Sequence, residues 1–207
     1  MHERVLQAVK FTPDELLALL VAISFAAGLN VYATVLALGV LGRVGALALP
    51  ASLHVLTNGY VIGISAALFA VEFIGDKIPA FDLVWNALHT FIRVPVAALI
   101  AYHATATLSP WEQLAATVAG GAIALAAHGG KTAARAAVTP SPEPFSNTAL
   151  SLGEDALAVL LTWFATKHPY WAASIVAAFL IAIIAFVRWV VRSLKRLFAG
   201  AEEVLAK

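Results

Sequence analysis

Two acidic residues, Glu72 and Asp76, stand four positions apart at the end of an apolar stretch of the sequence. Residues four apart share one face of a helix, with about 5–6 Å between their Cβ atoms. Acids at the C-terminal end of a helix oppose its dipole, so the helix itself does not favour them there. Ionisable side chains in an apolar segment usually belong to a functional site. We therefore predict that this pair binds a cation, or that it exchanges protons with a substrate cation.

Each of these acids also has an ordinary structural interpretation. Asp76 would form a salt bridge with Lys77 or Arg93, and Glu72 would form an ion pair or hydrogen bond across helices. Ser151 and Glu154 have the spacing of a capping box at a helix start, which by itself explains Glu154.

Other polar residues lie near the ends and weak points of the apolar stretches. Asp155 and Asn30 are predicted to complete the binding site with Glu72 and Asp76. The supporting polar residues are predicted to be Tyr32, Lys77, Asp82, Lys131, Arg135 and Glu154.

The composition is that of a membrane protein. Of the 207 residues, 61% are apolar and only 12% are charged, and the mean hydropathy is +0.88. Charged residues make up about 25% of soluble domains, so a soluble domain of this composition could not cover its surface with polar groups. The absence of cysteine excludes disulfides and thiolate metal sites.

Motifs of the common hydrolases, kinases and zinc proteases are absent, and no basic stripe carries interleaved aromatic residues. We therefore expect neither an enzyme nor a partner of nucleic acid. We expect no cofactor other than a bound divalent cation, with Glu72 and Asp76 as its ligands, because hard cations prefer oxygen.

Six apolar segments approach the ~20 residues that a membrane-spanning helix needs. The first is too long for one straight crossing, and Gly28-Leu29-Asn30 is a point at which it could break and then tilt, re-enter or lie in the interface. His128-Gly129-Gly130 is a matching weak point in the fourth segment, although both sites also suit close helix packing. The segments are 14–43, 57–76, 82–107, 110–130, 151–167 and 170–192.

The two halves of the sequence share an order of features. Thr12-Pro13-Asp14-Glu15 and Ser109-Pro110-Trp111-Glu112 both have the pattern of a capping box with proline at the first helical position. Lys77-Ile78-Pro79 and Lys167-His168-Pro169 later separate two segments in each half. We predict an all-α bundle of about six transmembrane helices in two inverted three-helix repeats, an arrangement found in many secondary transporters.

Basic residues near segment ends predict the orientation, because Lys and Arg are enriched in cytoplasmic loops. Arg188, Arg192, Lys195 and Arg196 lie at or just after the end of the last segment, and counting back six crossings brings Lys131 and Arg135 to the same side. We expect a multi-pass protein of the bacterial inner membrane with both termini in the cytoplasm. The predicted division is an N-terminal segment 1–11, two repeats 12–107 and 108–195, and a tail 196–207.

Several motifs follow one another along the chain: Gly28-Leu29-Asn30-Val31-Tyr32-Ala33-Thr34, Glu72-Phe73-Ile74-Gly75-Asp76-Lys77-Ile78-Pro79 with Asp82, Lys131 with Arg135, and Asn147 and Ser151 with Glu154-Asp155. Together they resemble a bacterial family of integral membrane proteins catalogued as domain of unknown function 4126. The resemblance covers about residues 14–169. It implies an integral membrane fold and supplies no function.

The motif Glu72-Phe73-Ile74-Gly75-Asp76-Lys77 is also similar to the Glu-x-Gly-Asp-Lys-Thr/Ser signature of small inverted-repeat calcium and manganese transporters. This likeness implies that Glu72 and Asp76 bind the transported cation. The present motif has one extra residue between the acids, and Ile78 replaces the hydroxyl residue. The second repeat has Thr162 and Thr166 at the matching positions.

We expect a small secondary transporter, cation- or proton-coupled, with buried carboxylates at the repeat interface. The alternatives are a lipid or isoprenoid carrier and a non-transporting membrane scaffold or assembly factor. A deep cavity lined by Glu72 and Asn30 would favour transport, whereas a solid core of paired charges would favour the scaffold. The expected partners are membrane lipid and a small ion or small-molecule substrate, and Gly120-Gly121 would permit a homo-oligomer.

Overall fold

The computed structural model describes residues 11–76, 79–138 and 144–205, and all regular structure in these ranges is helical. A short 3₁₀ helix, Ala51–Thr57, precedes the third α-helix. The α-helices are α1 (Pro13–Leu29), α2 (Val31–Arg43), α3 (Gly59–Gly75), α4 (Pro79–Ala104), α5 (Pro110–Val138), α6 (Pro144–Lys167) and α7 (Pro169–Leu205).

Both predicted capping boxes are present. At the start of α1, the Thr12 hydroxyl accepts a hydrogen bond from the Glu15 N–H, and the Glu15 carboxylate accepts one from the Thr12 N–H at 2.9 Å. Ser109 and Glu112 repeat this exchange at the start of α5. These side chains satisfy backbone N–H groups that a helix start leaves without intrahelical partners.

The first apolar segment is broken at Asn30, as predicted, and it then turns back. Asn30 has an extended backbone (φ −150°, ψ 104°), and its side-chain oxygen caps α2 by accepting from the Ala33 N–H at 2.9 Å. Leu16 and Leu38 consequently line the same apolar cavity, whereas one continuous helix would separate them by about 33 Å. Helices α1 and α2 thus form a hairpin whose tip is Asn30.

The predicted break in the fourth segment is wrong, because α5 continues through His128-Gly129-Gly130 to Val138. None of these three residues offers the type of side chain with which Asn30 caps a new helix. Gly130 instead permits close packing: a Cβ added there would lie 2.7 Å from Cδ1 of Ile183 on α7.

Helix α1 lies in the middle of the bundle, where nearly all of its residues from Leu19 to Leu29 are buried. It packs side by side with α5 and runs in the same direction, because Ser24 lies against Gly120 and Gly28 lies against Ala124. On another face of α1, the Phe25 ring stacks on Phe179 of α7 with centroids 5.6 Å apart.

Three described helices are long and apolar enough to cross a membrane: Ala87–Ala104, Thr148–Lys167 and Pro169–Ser193. A fourth span is present if Ala51–Thr57 and Gly59–Gly75, which meet at 61°, are counted together. The chain is therefore an all-α protein with several apolar helices compatible with a membrane. Six crossings in two inverted repeats are not confirmed, because the first segment doubles back instead of passing straight through.

Candidate functional site

The tip of the α1–α2 hairpin brings the end of a helix into the middle of the bundle. The last carbonyls of a helix have no intrahelical donors, and basic side chains satisfy two of them here. Arg93 on α4 donates to the Gly28 carbonyl at 3.4 Å, and Lys131 on α5 donates to the Leu29 carbonyl at 3.3 Å. Cations are also favoured at this end by the helix dipole.

The first ion pair at this tip joins Arg93 to Glu72 on α3. The Arg93 guanidinium donates to a Glu72 carboxylate oxygen, and neither side chain has any exposed surface. The cross-helix ion pair that the sequence offered as the ordinary explanation of Glu72 therefore exists. The other Glu72 oxygen, Oε2, has no hydrogen-bond partner in the part of the chain that the structure describes.

Asp76, one turn further along, is held by α5 and α6. Its Oδ2 lies 2.7 Å from Arg135 NH2, 3.3 Å from Lys131 Nζ and 3.4 Å from the Ser151 hydroxyl. Asp76 was expected to pair with Lys77 or Arg93. The described basic partners are instead Lys131 and Arg135, and Lys77 lies outside the described residues.

Lys131 occupies the centre of the cluster. Its ammonium lies 3.2 Å from Glu154, 3.3 Å from Asp76 and 3.8 Å from Glu72, and all of its side chain is buried. Arg135 also reaches Glu154, at 2.6 Å. Two of the three carboxylates around Lys131 thus share both bases of α5, while Glu72 pairs with Arg93 of α4.

Asn30 connects the hairpin tip to α6. Because its side-chain oxygen faces the Ala33 N–H, its amide nitrogen must face Asp155, to which it donates at 2.8 Å. Asp155 is only 5% exposed. Its second oxygen, Oδ2, has no hydrogen-bond partner, and none of the described basic side chains forms an ion pair with this carboxylate.

Two histidines extend the cluster along α4 and α5. Arg93 donates to His128 Nδ1 at 2.9 Å, and since a guanidinium has no acceptor atoms, Nδ1 carries no proton and His128 is neutral. Its Nε2–H then donates to the Thr90 hydroxyl at 2.8 Å. His89 donates through Nδ1 to the Trp85 carbonyl at 2.7 Å, and its Nε2 lies 3.1 Å from the Tyr32 hydroxyl.

These contacts define the central charge network of four acids and three bases, all but Glu154 at most 5% exposed. With His128 neutral, the acids exceed the strong bases by one, so the network carries one uncompensated negative charge when every acid is ionised. Isolated charges are costly to bury, so this excess among the described residues favours binding of a proton or another cation. The members are Glu72, Asp76, Arg93, Lys131, Arg135, Glu154 and Asp155.

The structure brings together eight of the ten predicted site residues. Lys77 lies outside the described residues, and the side chain of Asp82 lies in the undescribed part of α4. The predicted capping box of Ser151 and Glu154 is wrong, since α6 begins seven residues earlier at Pro144. The eight are Glu72, Asp76, Asp155, Asn30, Tyr32, Lys131, Arg135 and Glu154.

The metal assignment to Glu72 and Asp76 stays a prediction. Within residues 11–76, 79–138 and 144–205, no three His, Asp or Glu side chains are grouped so as to hold a metal ion. Both carboxylates are engaged by basic residues, which would compete with a metal for the same oxygens. Thr162 and Thr166, which match them in the second half, donate to backbone carbonyls of their own helix.

Three members of the site, Arg93, His89 and His128, were not among the site residues predicted from the sequence. The spacing of His89 and Arg93, four residues apart, puts both on one face of α4, and His128, Lys131 and Arg135 likewise share a face of α5. Polar stripes of this kind on otherwise apolar helices were the available signal for their meeting.

Two cavities flank α1 away from the network. One, of about 100 Å³, lies between α1 and α5 beside Ser24 and Gly120, and the other lies inside the α1–α2 hairpin. Apolar residues provide nearly all of their lining, and neither is lined by Glu72 or Asn30, so neither is the deep cavity that would favour transport.

Comparison with known proteins gives one assignment. No match was found among curated proteins or among solved structures. A family described as a domain of unknown function, DUF4126, matches residues 17–189, which include the whole central charge network. The chain therefore belongs to the DUF4126 family.

Proposed function

We propose that the protein is a small secondary transporter, coupled to protons or to a cation, and that the central charge network is its site. The observation that carries this proposal is a hairpin tip surrounded by buried charges, with Gly28 and Leu29 carbonyls facing Arg93 and Lys131. Interrupted helices inside membrane proteins occur where they are buried or line a pathway. In secondary transporters, their free ends typically bind substrate and coupling ions.

The placement in the membrane is part of the proposal. Helices α3, α4, α6 and α7 contain the candidate spans, α5 crosses beside them, and the α1–α2 hairpin is re-entrant. The exposed Arg188 and Arg192 lie near the end of the apolar span Pro169–Ser193 and favour the cytoplasm for that end, because basic residues are enriched on this side. A bacterial inner membrane fits this arrangement. With this end of α7 in the cytoplasm, α5 begins on the other side of the membrane. Because α1 runs parallel to α5, α1 also begins on the non-cytoplasmic side, whereas the sequence predicted a cytoplasmic start.

The charge balance supports a cationic rather than an anionic substrate. Acids outnumber strong bases in the network, so an entering cation reduces the excess charge whereas an anion increases it. A cation could bind to the oxygens around Lys131 only by displacing that ammonium group or by drawing a carboxylate away from it. Such exchange of ion-pair partners provides the two arrangements that alternating access requires.

The direct test is transport into liposomes that contain the purified full-length chain. Uptake of Na⁺, K⁺, Ca²⁺ and Mn²⁺ and movement of protons would be followed under imposed ion and pH gradients. We expect flux of at least one cation, and its loss in Glu72→Gln. Asp14→Asn is the matched control, because it removes one acid that is exposed at the start of α1. Full transport by Glu72→Ala would refute the proposal.

A non-transporting scaffold is the second candidate, and a specific observation favours it. Glu72, Asp76 and Glu154 each lie within 4 Å of a basic side chain, as expected if the charges only hold helices together. A thermal-shift screen against cations, pH and lipids separates the candidates. Stabilisation by one cation that vanishes in Glu72→Gln supports transport, and stabilisation by one lipid alone supports a lipid carrier. Silence from every ligand, together with no flux, supports the scaffold.

A further inference from the structure

Asp155 differs from the other acids of the central charge network because none of the described Arg or Lys side chains forms an ion pair with it. Glu72, Asp76 and Glu154 each contact at least one Arg or Lys. Asp155 accepts only from the neutral amide of Asn30 and leaves Oδ2 without a partner among the described residues. The one uncompensated negative charge of the network is therefore located at this residue.

We propose that Asp155 carries an exchangeable proton on Oδ2, at the tip of the hairpin, while Glu72, Asp76 and Glu154 stay ionised in their ion pairs. One proton added to the ionised Asp155 carboxylate makes the network neutral. The role of this proton as the coupling ion rests on the proposed transport function. The protonation itself does not rest on it.

The Asn30 amide fixes which oxygen takes the proton. Its nitrogen must face Asp155, because its oxygen is used by the Ala33 N–H. Asp155 Oδ1 therefore accepts a hydrogen bond and cannot also point a proton at that nitrogen. Oδ2 is the free oxygen, and a protonated carboxyl needs only one such oxygen to hold its hydrogen.

The same geometry favours a proton over a metal ion. A metal would need several converging oxygen ligands, and one side of this carboxyl already faces an amide N–H group. The part of the chain that the structure describes contains no cluster of three acids or histidines suited to a metal. A proton requires neither more ligands nor displacement of Asn30.

The charges around Asp155 come from several helices. Lys131 on α5 favours its ionised form, whereas Glu72 and Asp76 on α3 oppose it. Lys131 is already within 4 Å of three other carboxylates, so its charge is shared. Glu154 precedes Asp155 on α6, and Arg135 of α5 contacts that residue and Asp76.

The remaining neighbours of α6 contribute no strong charge beside this carboxyl. The hairpin contributes Asn30, with Tyr32 two residues further along α2, and both are uncharged at neutral pH. Helix α7 carries no ionisable residue between Tyr170 and Arg188.

Infrared spectroscopy of the full-length protein in lipid measures this proton directly, since a protonated carboxyl has a C=O stretching band that an ionised carboxylate lacks. We expect such a band in the wild type at neutral pH. Asp155→Asn should remove it, and Asp14→Asn, the matched change in an exposed acid outside the network, should keep it. A band kept in Asp155→Asn would overturn the proposal, as would the absence of any band in the folded wild type.

Two further measurements cover the case in which Asp155→Asn does not fold. Wild-type protein labelled with ¹³C-carboxyl aspartate should show a shifted band, whereas labelling with ¹³C-carboxyl glutamate should not; the reverse result would refute the assignment. Asn30→Ser keeps a capping residue but removes the amide contact with Asp155. It should shift the band frequency, and an unchanged frequency would mean that the proton is elsewhere.

Exchange into D₂O distinguishes this inference from the proposed function. A band that belongs to Asp155 and shifts in D₂O shows an exchangeable proton, as proposed. A band that belongs to Asp155 but never shifts would show a sealed structural proton, which refutes exchange. If the exchangeable band is present and the liposomes show no flux of any cation, transport fails while the proton assignment stands.

Discussion

Replacement of Arg93 by methionine should strongly destabilise the protein. The Arg93 and Glu72 side chains are fully buried against each other, and methionine would leave Glu72 with only Lys131, at 3.8 Å. Removal of one partner from a buried ion pair costs about 3–5 kcal/mol, because the other charge remains buried without compensation. We therefore expect the free energy of unfolding of Arg93→Met to fall by about this amount.

Lys131→Met is the informative comparison, because the same network predicts a smaller loss. Each carboxylate that Lys131 contacts keeps a second base: Glu72 keeps Arg93, while Asp76 and Glu154 keep Arg135. The expected cost is about 1.5–3 kcal/mol, the range for a hydrogen bond to a charged group. Lys131 contacts more carboxylates than Arg93 does, yet Lys131→Met should lose less stability. The reason is that each carboxylate near Lys131 has a second basic partner.

The measurement is equilibrium unfolding of both variants and of Glu72→Met/Arg93→Met, with helix content as the signal. The double variant should recover most of the stability lost in Arg93→Met, since replacing both members of a buried pair with apolar residues is often neutral or stabilising. Their coupling energy follows from the double-mutant cycle. The reasoning fails if Lys131→Met is the more damaging change, or if the double variant is as unstable as Arg93→Met.

Two further predictions concern the hairpin. Gly28→Ala would put a Cβ 2.4 Å from the Ala124 carbonyl oxygen, so it should lower stability by about 1–3 kcal/mol through overpacking. The added Cβ in Gly129→Ala meets nothing within 4 Å, so this control should be neutral or stabilising by up to about 1 kcal/mol. Equal melting temperatures for the two variants would contradict this prediction. Asn30→Ala removes the cap of α2, worth about 1 kcal/mol, and removes the amide that donates to Asp155, a further loss of about 1–3 kcal/mol. Thermal unfolding that matches the wild type would show that Asn30 does not hold the tip.

The break at Asn30 could be predicted from sequence, but its direction could not. Glycine followed by a residue that can cap a helix marks a point where one helix ends and another begins. Whether the chain then continues forward or turns back depends on the packing of α2 against distant segments, such as the contact of Leu38 with the cavity around Leu16. That information is tertiary, and the count of six crossings depended on it.

The membership of the charged site was also easier to predict than its pairing. Charges in apolar segments are few, so each one is conspicuous in the sequence. Their partners are far apart along the chain: Glu72 and Arg93 are separated by 21 positions, and Asn30 and Asp155 by 125. From the sequence, Lys77 or Arg93 was the expected salt-bridge partner of Asp76. Its contacts with Lys131 and Arg135 depend on the arrangement of α3 against α5.

The hairpin and the charge network follow from one another. A helix that ends inside the bundle leaves carbonyls without donors, and Arg93 and Lys131 satisfy two of them at Gly28 and Leu29. Buried cations in turn require acids, which Glu72 on α3 and further carboxylates on α3 and α6 supply. These requirements explain Arg93, Lys131 and the three acids paired with basic residues, and Arg135 completes the ion pairs of Asp76 and Glu154.

The fourth acid, Asp155, has no place in that explanation. It forms no ion pair with the basic side chains that the structure describes, and it does not cap the end of a helix. It is instead bound by Asn30, the residue at which the chain reverses. A purely structural network would be complete without this carboxylate. Because Asp155 is hydrogen-bonded to the tip of the hairpin, a change in its charge would alter that hydrogen bond. A scaffold therefore does not need Asp155 to change its protonation state. A proton-coupled transporter needs this carboxyl to gain and lose a proton at the same position beside Asn30.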